Sequence, residues 1–136
     1  MIKKIEHIGV AVKNIENSVH IFRDLLGIPL EKVYESDAIK TKIAFFPLGD
    51  STIELIEPMD PSSPAAKFIE KRGEGIHHLC LGVEDIEAAL REFEAKGIEL
   101  LNKTPRKTAD GRIIAFLSPK STNGVLIELM QLGAEE

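Results

Sequence analysis

The feature of this sequence that most constrains its fold is an internal repeat. The segment "EHIGVAVKNIENSVHIFRDLLGI" starts at Glu6, and "HHLCLGVEDIEAALREFEAKGI" starts at His77. When the two are aligned, His7 falls on His78 and apolar residues match along both segments. Each segment first alternates as a strand does and then carries apolar residues at helical spacing. The aligned apolar pairs are Val12 with Val83, Ile15 with Ile86, Val19 with Leu90, and Phe22 with Phe93.

The repeat continues past the two predicted helices. "IAFFPLG" and "IAFLSPK" are near copies, and matching "TIELIEP" with "LIELMQL" aligns Glu54 with Glu128. Each half is predicted to add three strands, over 28–36, 40–49 and 51–58 in the first half and 98–104, 111–119 and 124–132 in the second. Four matches in the same order indicate duplication.

The predicted fold is therefore α+β, with two tandem βαβββ modules in a single domain spanning 1–136. The first module covers about 4–60 and the second about 75–132. The linker, about 61–74, is rich in Pro and Ser and then predicts a short helix over 64–71. Asn14 and Asp85 are predicted N-caps of the two module helices, and Gly27 and Gly97 are the predicted glycines that end them.

Composition excludes several classes of partner. The chain has 136 residues, and its net charge of 17 − 22 = −5 argues against nucleic acid or an anionic membrane. No apolar run approaches the roughly 20 residues of a membrane span, and the start of the chain lacks a signal-peptide pattern. The single cysteine, Cys80, cannot form an intramolecular disulfide. We therefore expect a cytoplasmic protein with no nucleic-acid or membrane partner.

The repeat pairs four polar residues that lie in otherwise apolar strands: His7 with His78, and Glu54 with Glu128. One such residue alone would indicate a solvent-facing strand position. Two imidazoles and two carboxylates brought together by two similar modules suit Zn²⁺, Co²⁺, Ni²⁺ or Mn²⁺. The second carboxylate argues against an Fe(II) oxygenase, so the pattern favours Lewis-acid stabilisation of an enolate, with a carboxylate moving the proton.

The repeat also distinguishes the adjacent histidines His77 and His78. Neighbouring side chains on a strand point to opposite faces, so only one of the two can face a given site. His78 aligns with His7, and His77 is therefore predicted to have a structural role on the other face.

Several motifs together are similar to those of the vicinal oxygen chelate superfamily, which includes the glyoxalases, bleomycin-resistance proteins and dioxygenases. The segments "EHIGVAV", "DLLG", "IELIEP", "GIHHLCLGV" and "SPK…NGVLIEL" resemble most closely the methylmalonyl-CoA epimerases, over about residues 5–132. The resemblance implies an open barrel-like mixed sheet around a metal cleft, and His7, Glu54, His78 and Glu128 fall on the family's ligand positions. It also implies a homodimer that binds a CoA thioester, with Co²⁺ as the first choice of metal ion.

The implied reaction is epimerisation of 2-methylmalonyl-CoA at C2, by removal and return of a proton through an enolate. Inversion needs two acid/base groups. The resemblance implies that Glu128 is one of them and that a carboxylate just before the "KIAF" strand is the other. That region reads "YESDAIKTKIAF", where the nearest carboxylates are Asp37 and Glu35.

Two other functions fit the same fold. A glyoxalase I-type lactoylglutathione lyase uses a similar set of ligands, so the ligands alone do not separate it from an epimerase. A non-catalytic small-molecule-binding protein of this fold needs no such set of four ligands, which favours an enzyme.

Overall fold

A computed structural model describes residues 1–133 of the chain. The order of its elements follows the duplicated pattern and confirms the predicted α+β fold. The helices are α1 (Ile15–Val19), which continues as a π-helix (His20–Leu25), then α2 (Pro64–Arg72), α3 (Ile86–Ala95) and a short 3-10 helix (Pro119–Ser121). The strands are β1 (Ile2–Ala11), β2 (Lys32–Ser36), β3 (Thr41–Leu48), β4 (Ser51–Pro58), β5 (Gly75–Val83), β6 (Arg106–Lys107), β7 (Ile113–Leu117) and β8 (Ile127–Gln131). Within residues 1–133, no helix has the length and apolar content that crossing a membrane requires.

Internal contacts divide the chain into two compact units. The amino-terminal unit is His7–His77, and the carboxyl-terminal unit is Met1–Glu6 together with the chain from His78 onward. Each unit contains a mixed sheet in which a module's first strand pairs in parallel with its last.

In the amino-terminal unit the strand order is β2-β3-β4-β1, with β1 parallel to β4 and the other pairs antiparallel. One face of this sheet packs on α1, and the other packs on α2. The α1 face buries Val12, Ile15, Val19, Ala44, Phe46 and Leu55, and the α2 face buries Ala11, Ile43, Phe45, Ile56 and Ala65.

The carboxyl-terminal unit repeats this arrangement, with the order β5-β8-β7-β6 and β5 parallel to β8. One face packs on α3, and the other holds a smaller cluster that includes Cys80. At the start of the unit, Lys3 forms an ion pair with Glu84, with 2.6 Å between Nζ and Oε1.

The starts of the two module helices are fixed in the same way. The predicted N-caps are confirmed: the Asn14 side chain accepts from the Asn17 N–H, and the Asp85 side chain accepts from the Ala88 N–H. A side chain of the module's last strand caps each helix a second time. The Ile15 N–H donates to Glu57 Oε1 at 2.6 Å, and the Ile86 N–H donates to Gln131 Oε1 at 3.1 Å. Because Glu57 and Gln131 occupy matching positions, the duplication extends to these hydrogen bonds.

The ends of the helices agree only in part with the sequence prediction. Gly27 and Gly97 have φ of +77° and +94°, a conformation that suits glycine after a helix. The first helix, however, widens to π geometry after Val19, where the Leu26 N–H donates to the Ile21 carbonyl five residues back. Sequence periodicity does not separate a π turn from an α turn over so few residues.

The predicted strand over 98–104 is wrong. In this segment the structure has a single bridge between Leu100 and Leu117, and the short strand β6 lies further along the chain. The Asn102 side chain explains the difference, because its Oδ1 accepts from the Phe116 N–H at 2.8 Å. The N–H groups of Leu101 and Asn102 both donate to the Phe116 carbonyl. A side-chain amide thus takes the place of a backbone partner and ends regular pairing.

Glu57→Ala should lower the free energy of unfolding by about 1 kcal/mol, because the Ile15 N–H at the helix start loses its acceptor. Chemical denaturation of the purified variant measures this change. Glu57→Gln is the matched control, because it keeps a carbonyl oxygen at the same reach, as Gln131 does in the other module. Equal destabilisation by both variants would show that the charge, and not the acceptor, is what stabilises the helix start.

Candidate metal centre and active site

In the amino-terminal unit a histidine and a glutamate from parallel strands form a buried couple. His7 on β1 is 1% exposed and Glu54 on β4 is 4% exposed. The register places Gly9 beside Glu54. His7 lies two residues before Gly9 on β1, so its side chain points to the same face of the sheet. The separation between His7 Nδ1 and Glu54 Oε2 is 3.1 Å, which is hydrogen-bond distance.

The carboxyl-terminal unit contains the equivalent couple. His78 on β5 is 8% exposed, and Glu128 on β8 is 5% exposed. Their closest atoms, His78 Nε2 and Glu128 Oε1, are 3.2 Å apart. The register pairs Cys80 with Glu128, in the position that Gly9 holds beside Glu54. Each unit therefore contains one histidine and one glutamate of the four residues that the sequence analysis singled out, in contact with each other.

An aromatic side chain lies beside each glutamate. Phe45 on β3 is directly opposite Glu54, and Phe116 on β7 is directly opposite Glu128. The His78 and Phe116 rings meet edge to face, with their centroids 6.3 Å apart. Both glutamates are buried, at 4% and 5% exposure, which strengthens any electrostatic interaction that the carboxylates make.

The chemistry of the two couples fits a divalent cation. A carboxylate buried among apolar residues is unfavourable unless an opposite charge or a hydrogen-bond donor faces it. Each couple supplies one imidazole nitrogen and one carboxylate, the donor types that ions of borderline hardness prefer. In each couple the 3.1–3.2 Å contact also orients the two donor groups toward one another.

His77, the neighbour of His78 on β5, contacts the linker helix. Its ring meets Phe68 of α2 edge to face at 5.1 Å between centroids. In the carboxyl-terminal unit it is His78, the next residue, that contacts Glu128. His77 therefore packs the linker helix.

The carboxylates proposed as the second acid/base group lie on the β2–β3 hairpin. Glu35 is exposed and lies opposite Lys42. Strand alternation turns Glu35 to the face opposite the one that carries Glu54. Asp37 is also exposed and opens the turn at 37–40. Thr41, which follows that turn, lies opposite Pro58 on β4. Pro58 is four residues beyond Glu54, so these two positions on β4 are about 13 Å apart.

Lys32 is a charged residue on the face of Glu54 that sequence reasoning missed. Its Nζ lies 5.0 Å from the centroid of the Phe45 ring. The alternation of Lys32, Tyr34 and Ser36 could have indicated that these residues share one face. Only the hairpin register shows that this face is also the face of Glu54.

Comparison with known proteins agrees with this geometry. The family model of the Glyoxalase/Bleomycin resistance protein/Dioxygenase superfamily matches residues 6–116. The chain is 35% identical over 134 residues to the ethylmalonyl-CoA/methylmalonyl-CoA epimerase of Cereibacter sphaeroides, covering 97% of this chain and 100% of that protein. The crystal structure of methylmalonyl-CoA epimerase from Mycobacterium tuberculosis is 32% identical, with a TM-score of 0.90 over 98% of this chain and 91% of that one.

A third relative was solved with a CoA ligand. It is a variant of the methylmalonyl-CoA epimerase of Streptomyces coelicolor in complex with 2-nitronate-propionyl-CoA. That protein is 30% identical to this chain, with a TM-score of 0.89, over 98% of this chain and 97% of that one. The present chain therefore belongs to the Glyoxalase/Bleomycin resistance protein/Dioxygenase superfamily, in which methylmalonyl-CoA epimerases are among its relatives.

Proposed function

We propose that this chain is an isomerase that interconverts the two epimers of 2-methylmalonyl-CoA at C2. The observation that carries the proposal is the buried histidine–glutamate couple found in each module. It occurs in a chain whose relatives at 30–35% identity include methylmalonyl-CoA epimerases. The small-molecule partner is then a CoA thioester.

We assign His7, Glu54, His78 and Glu128 as the ligands of one divalent ion, with Co²⁺ as the first choice and Zn²⁺, Ni²⁺ or Mn²⁺ as alternatives. Neutral imidazoles and ionised carboxylates are the protonation states that such ligands need. When bound, the ion supplies Lewis-acid stabilisation of the negative charge that develops on the substrate's oxygen atoms. Phe45 and Phe116 keep water away from the two glutamates.

Proton transfer is assigned to two carboxylates. The Glu128 carboxylate accepts the proton from one face of C2, the C2–H electron pair moves into the thioester carbonyl, and the other group returns a proton to the opposite face. We assign that second role to Asp37 in preference to Glu35, because strand alternation directs Glu35 to the face away from Glu54. A turn residue such as Asp37 can reorient toward a substrate, whereas a residue inside a strand ladder is held by its pairing.

Three features of the biological setting belong to this proposal. The two modules act together as one domain over 1–136, the protein forms a homodimer, and it works in the cytoplasm, where Cys80 stays reduced. The buried position of this thiol suits that compartment.

Deuterium exchange at C2 tests the reaction. The protein is first freed of metal and then loaded with Co²⁺. In D₂O it should catalyse incorporation of deuterium at C2 of methylmalonyl-CoA, which mass spectrometry measures. Removal of the metal by a chelator should slow exchange by about 10³-fold, because stabilisation of the developing charge is worth several kcal/mol.

The same experiment separates the other functions of this fold. Isomerisation of the methylglyoxal–glutathione adduct, without exchange into methylmalonyl-CoA, would show a lactoylglutathione lyase. Binding of methylmalonyl-CoA without exchange in the presence of Co²⁺, Zn²⁺, Ni²⁺ or Mn²⁺ would show a non-catalytic binding protein.

His78→Ala should weaken Co²⁺ binding by more than about 100-fold, since it removes a metal ligand and leaves Glu128 without its imidazole contact. Titration of the metal-free protein with Co²⁺, followed by calorimetry, measures the affinity. His77→Ala is the matched control and should keep the wild-type affinity, because His77 contacts Phe68. The reverse ranking would overturn the assignment of the two histidines.

Asp37→Asn should lower kcat by about 10²- to 10⁴-fold, the usual contribution of a general acid or base, with Co²⁺ affinity unchanged. Glu35→Gln should change kcat by less than about threefold. Rates of epimerisation for the two variants decide between these carboxylates. A large loss only in Glu35→Gln would transfer the role to Glu35, and no loss in either would remove the hairpin from proton transfer.

A further inference from the structure

We propose that Lys32 binds the free carboxylate of the substrate's acyl group and makes the site selective for carboxylated acyl thioesters over neutral ones. This inference rests on the proposed function. It adds a specificity-determining residue to it, outside the histidine–glutamate couples.

The position of Lys32 follows from the register of three strands. Phe45 on β3 lies opposite Glu54 on β4 and also opposite Lys32 on β2. Residues directly opposite one another in antiparallel strands point to the same face. Glu54, Phe45 and Lys32 thus form a row across one face of the sheet. At about 4.8 Å between strands, the Lys32 backbone is roughly 10 Å from that of Glu54.

The Lys32 side chain turns back along this row. Its ammonium lies 5.0 Å from the centroid of Phe45, a ring that is 7% exposed and adjacent to Glu54. A cation over an aromatic face is held by the ring's quadrupole, which limits the conformations of the flexible stem. The ammonium thus lies over Phe45, on the face of the sheet that carries Glu54.

The charge of Lys32 is available to a ligand. Lys32 is exposed, and across residues 1–133 no carboxylate forms an ion pair with it. Lysine supplies three N–H donors, and the contact with the ring face leaves these donors able to bond to another group. An anionic group that enters along this face can therefore accept hydrogen bonds from Nζ.

The second module has a different group at the equivalent position. There the residue opposite Glu128 is Phe116, and the next segment of chain contributes Leu101 and Asn102. The Asn102 side chain is already bonded to the Phe116 N–H. A cation thus lies over the aromatic ring next to the first glutamate, whereas the residue next to the second glutamate is bonded to an amide. An acyl group with a thioester at one end and a carboxylate at the other is itself asymmetric, so this single charge can distinguish its ends.

The short span favours the acyl carboxylate over the CoA phosphates. If the reacting carbon lies near Glu54, the Lys32 ammonium above Phe45 is within a few side-chain lengths of that carbon. The phosphates of CoA are separated from the thioester by the whole pantetheine arm, which is longer than this row of three residues.

Lys32→Gln tests the inference with two ligands that differ mainly in the acyl carboxylate, methylmalonyl-CoA and propionyl-CoA. The Kd of methylmalonyl-CoA on the Co²⁺-loaded protein should rise by about 10-fold, the typical effect of losing a hydrogen bond to a charged group. The Kd of propionyl-CoA should stay within about twofold of wild type. Lys32→Arg should restore most of the selectivity, because it keeps the positive charge.

Lys42→Gln is the matched control, because it removes the same charge from the neighbouring strand on the opposite face, where Lys42 lies beside Glu35. It should leave both dissociation constants unchanged. If Lys32→Gln weakens the binding of both ligands equally, Lys32 binds a CoA phosphate and the proposal is overturned. No change in either dissociation constant would also overturn it. Wild-type epimerisation, measured first, tests the proposed function separately. If it is present while Lys32→Gln keeps wild-type selectivity, only the inference about Lys32 fails.

Discussion

The parallel pairing of each module's first strand with its last is the interaction on which the rest of the site depends. His7 and Glu54 are 47 positions apart in sequence (54 − 7), and His78 and Glu128 are 50 apart (128 − 78). Parallel strands cannot be joined by a tight turn, so a long connection must bring the chain back to the start of the first strand. In each module the helix and two antiparallel strands form that connection. The packing of the connecting helix on one face of each sheet thus stabilises the register that places imidazole beside carboxylate.

The hydrogen bonds at the helix starts reinforce the same register. Glu57 and Gln131 each lie three residues beyond the glutamate of their couple, and each accepts from the first N–H of the module helix. A strand that slipped by one residue would turn these acceptors, and the glutamates with them, to the other face. The helix cap and the candidate metal ligand are therefore specified together. Strand positions of this kind hold a site more rigidly than loop positions do.

Much of this arrangement is predictable from the sequence because of duplication. A single histidine in a strand predicts little. Two copies of the pattern in the same register single out His7 with its repeat equivalent His78, and Glu54 with its repeat equivalent Glu128. Local chemistry also predicts the N-caps at Asn14 and Asp85. The sequence does not predict whether a side chain or a backbone group forms a given hydrogen bond, or which face of a sheet a residue shares with a distant strand. The Asn102 side chain replaces a backbone partner and ends a predicted strand, and the face that carries Lys32 depends on the hairpin register.

Duplication accounts for the four proposed metal ligands but cannot by itself explain inversion at a carbon atom. Two similar modules provide two similar couples, whereas epimerisation needs different proton carriers on opposite faces of a substrate whose ends differ. The asymmetry must therefore come from positions where the modules diverge. Beside Glu54 the chain has Gly9, and beside Glu128 it has the buried thiol of Cys80, which occupies space next to one carboxylate only. The β2–β3 hairpin, with Lys32 and Asp37, also differs from its counterpart in the second module, where β6 pairs with β7 over two residues and the chain is irregular around Asn102. The repeated residues are suited to holding an ion, and the residues that differ between the modules are suited to orienting the substrate and moving its proton.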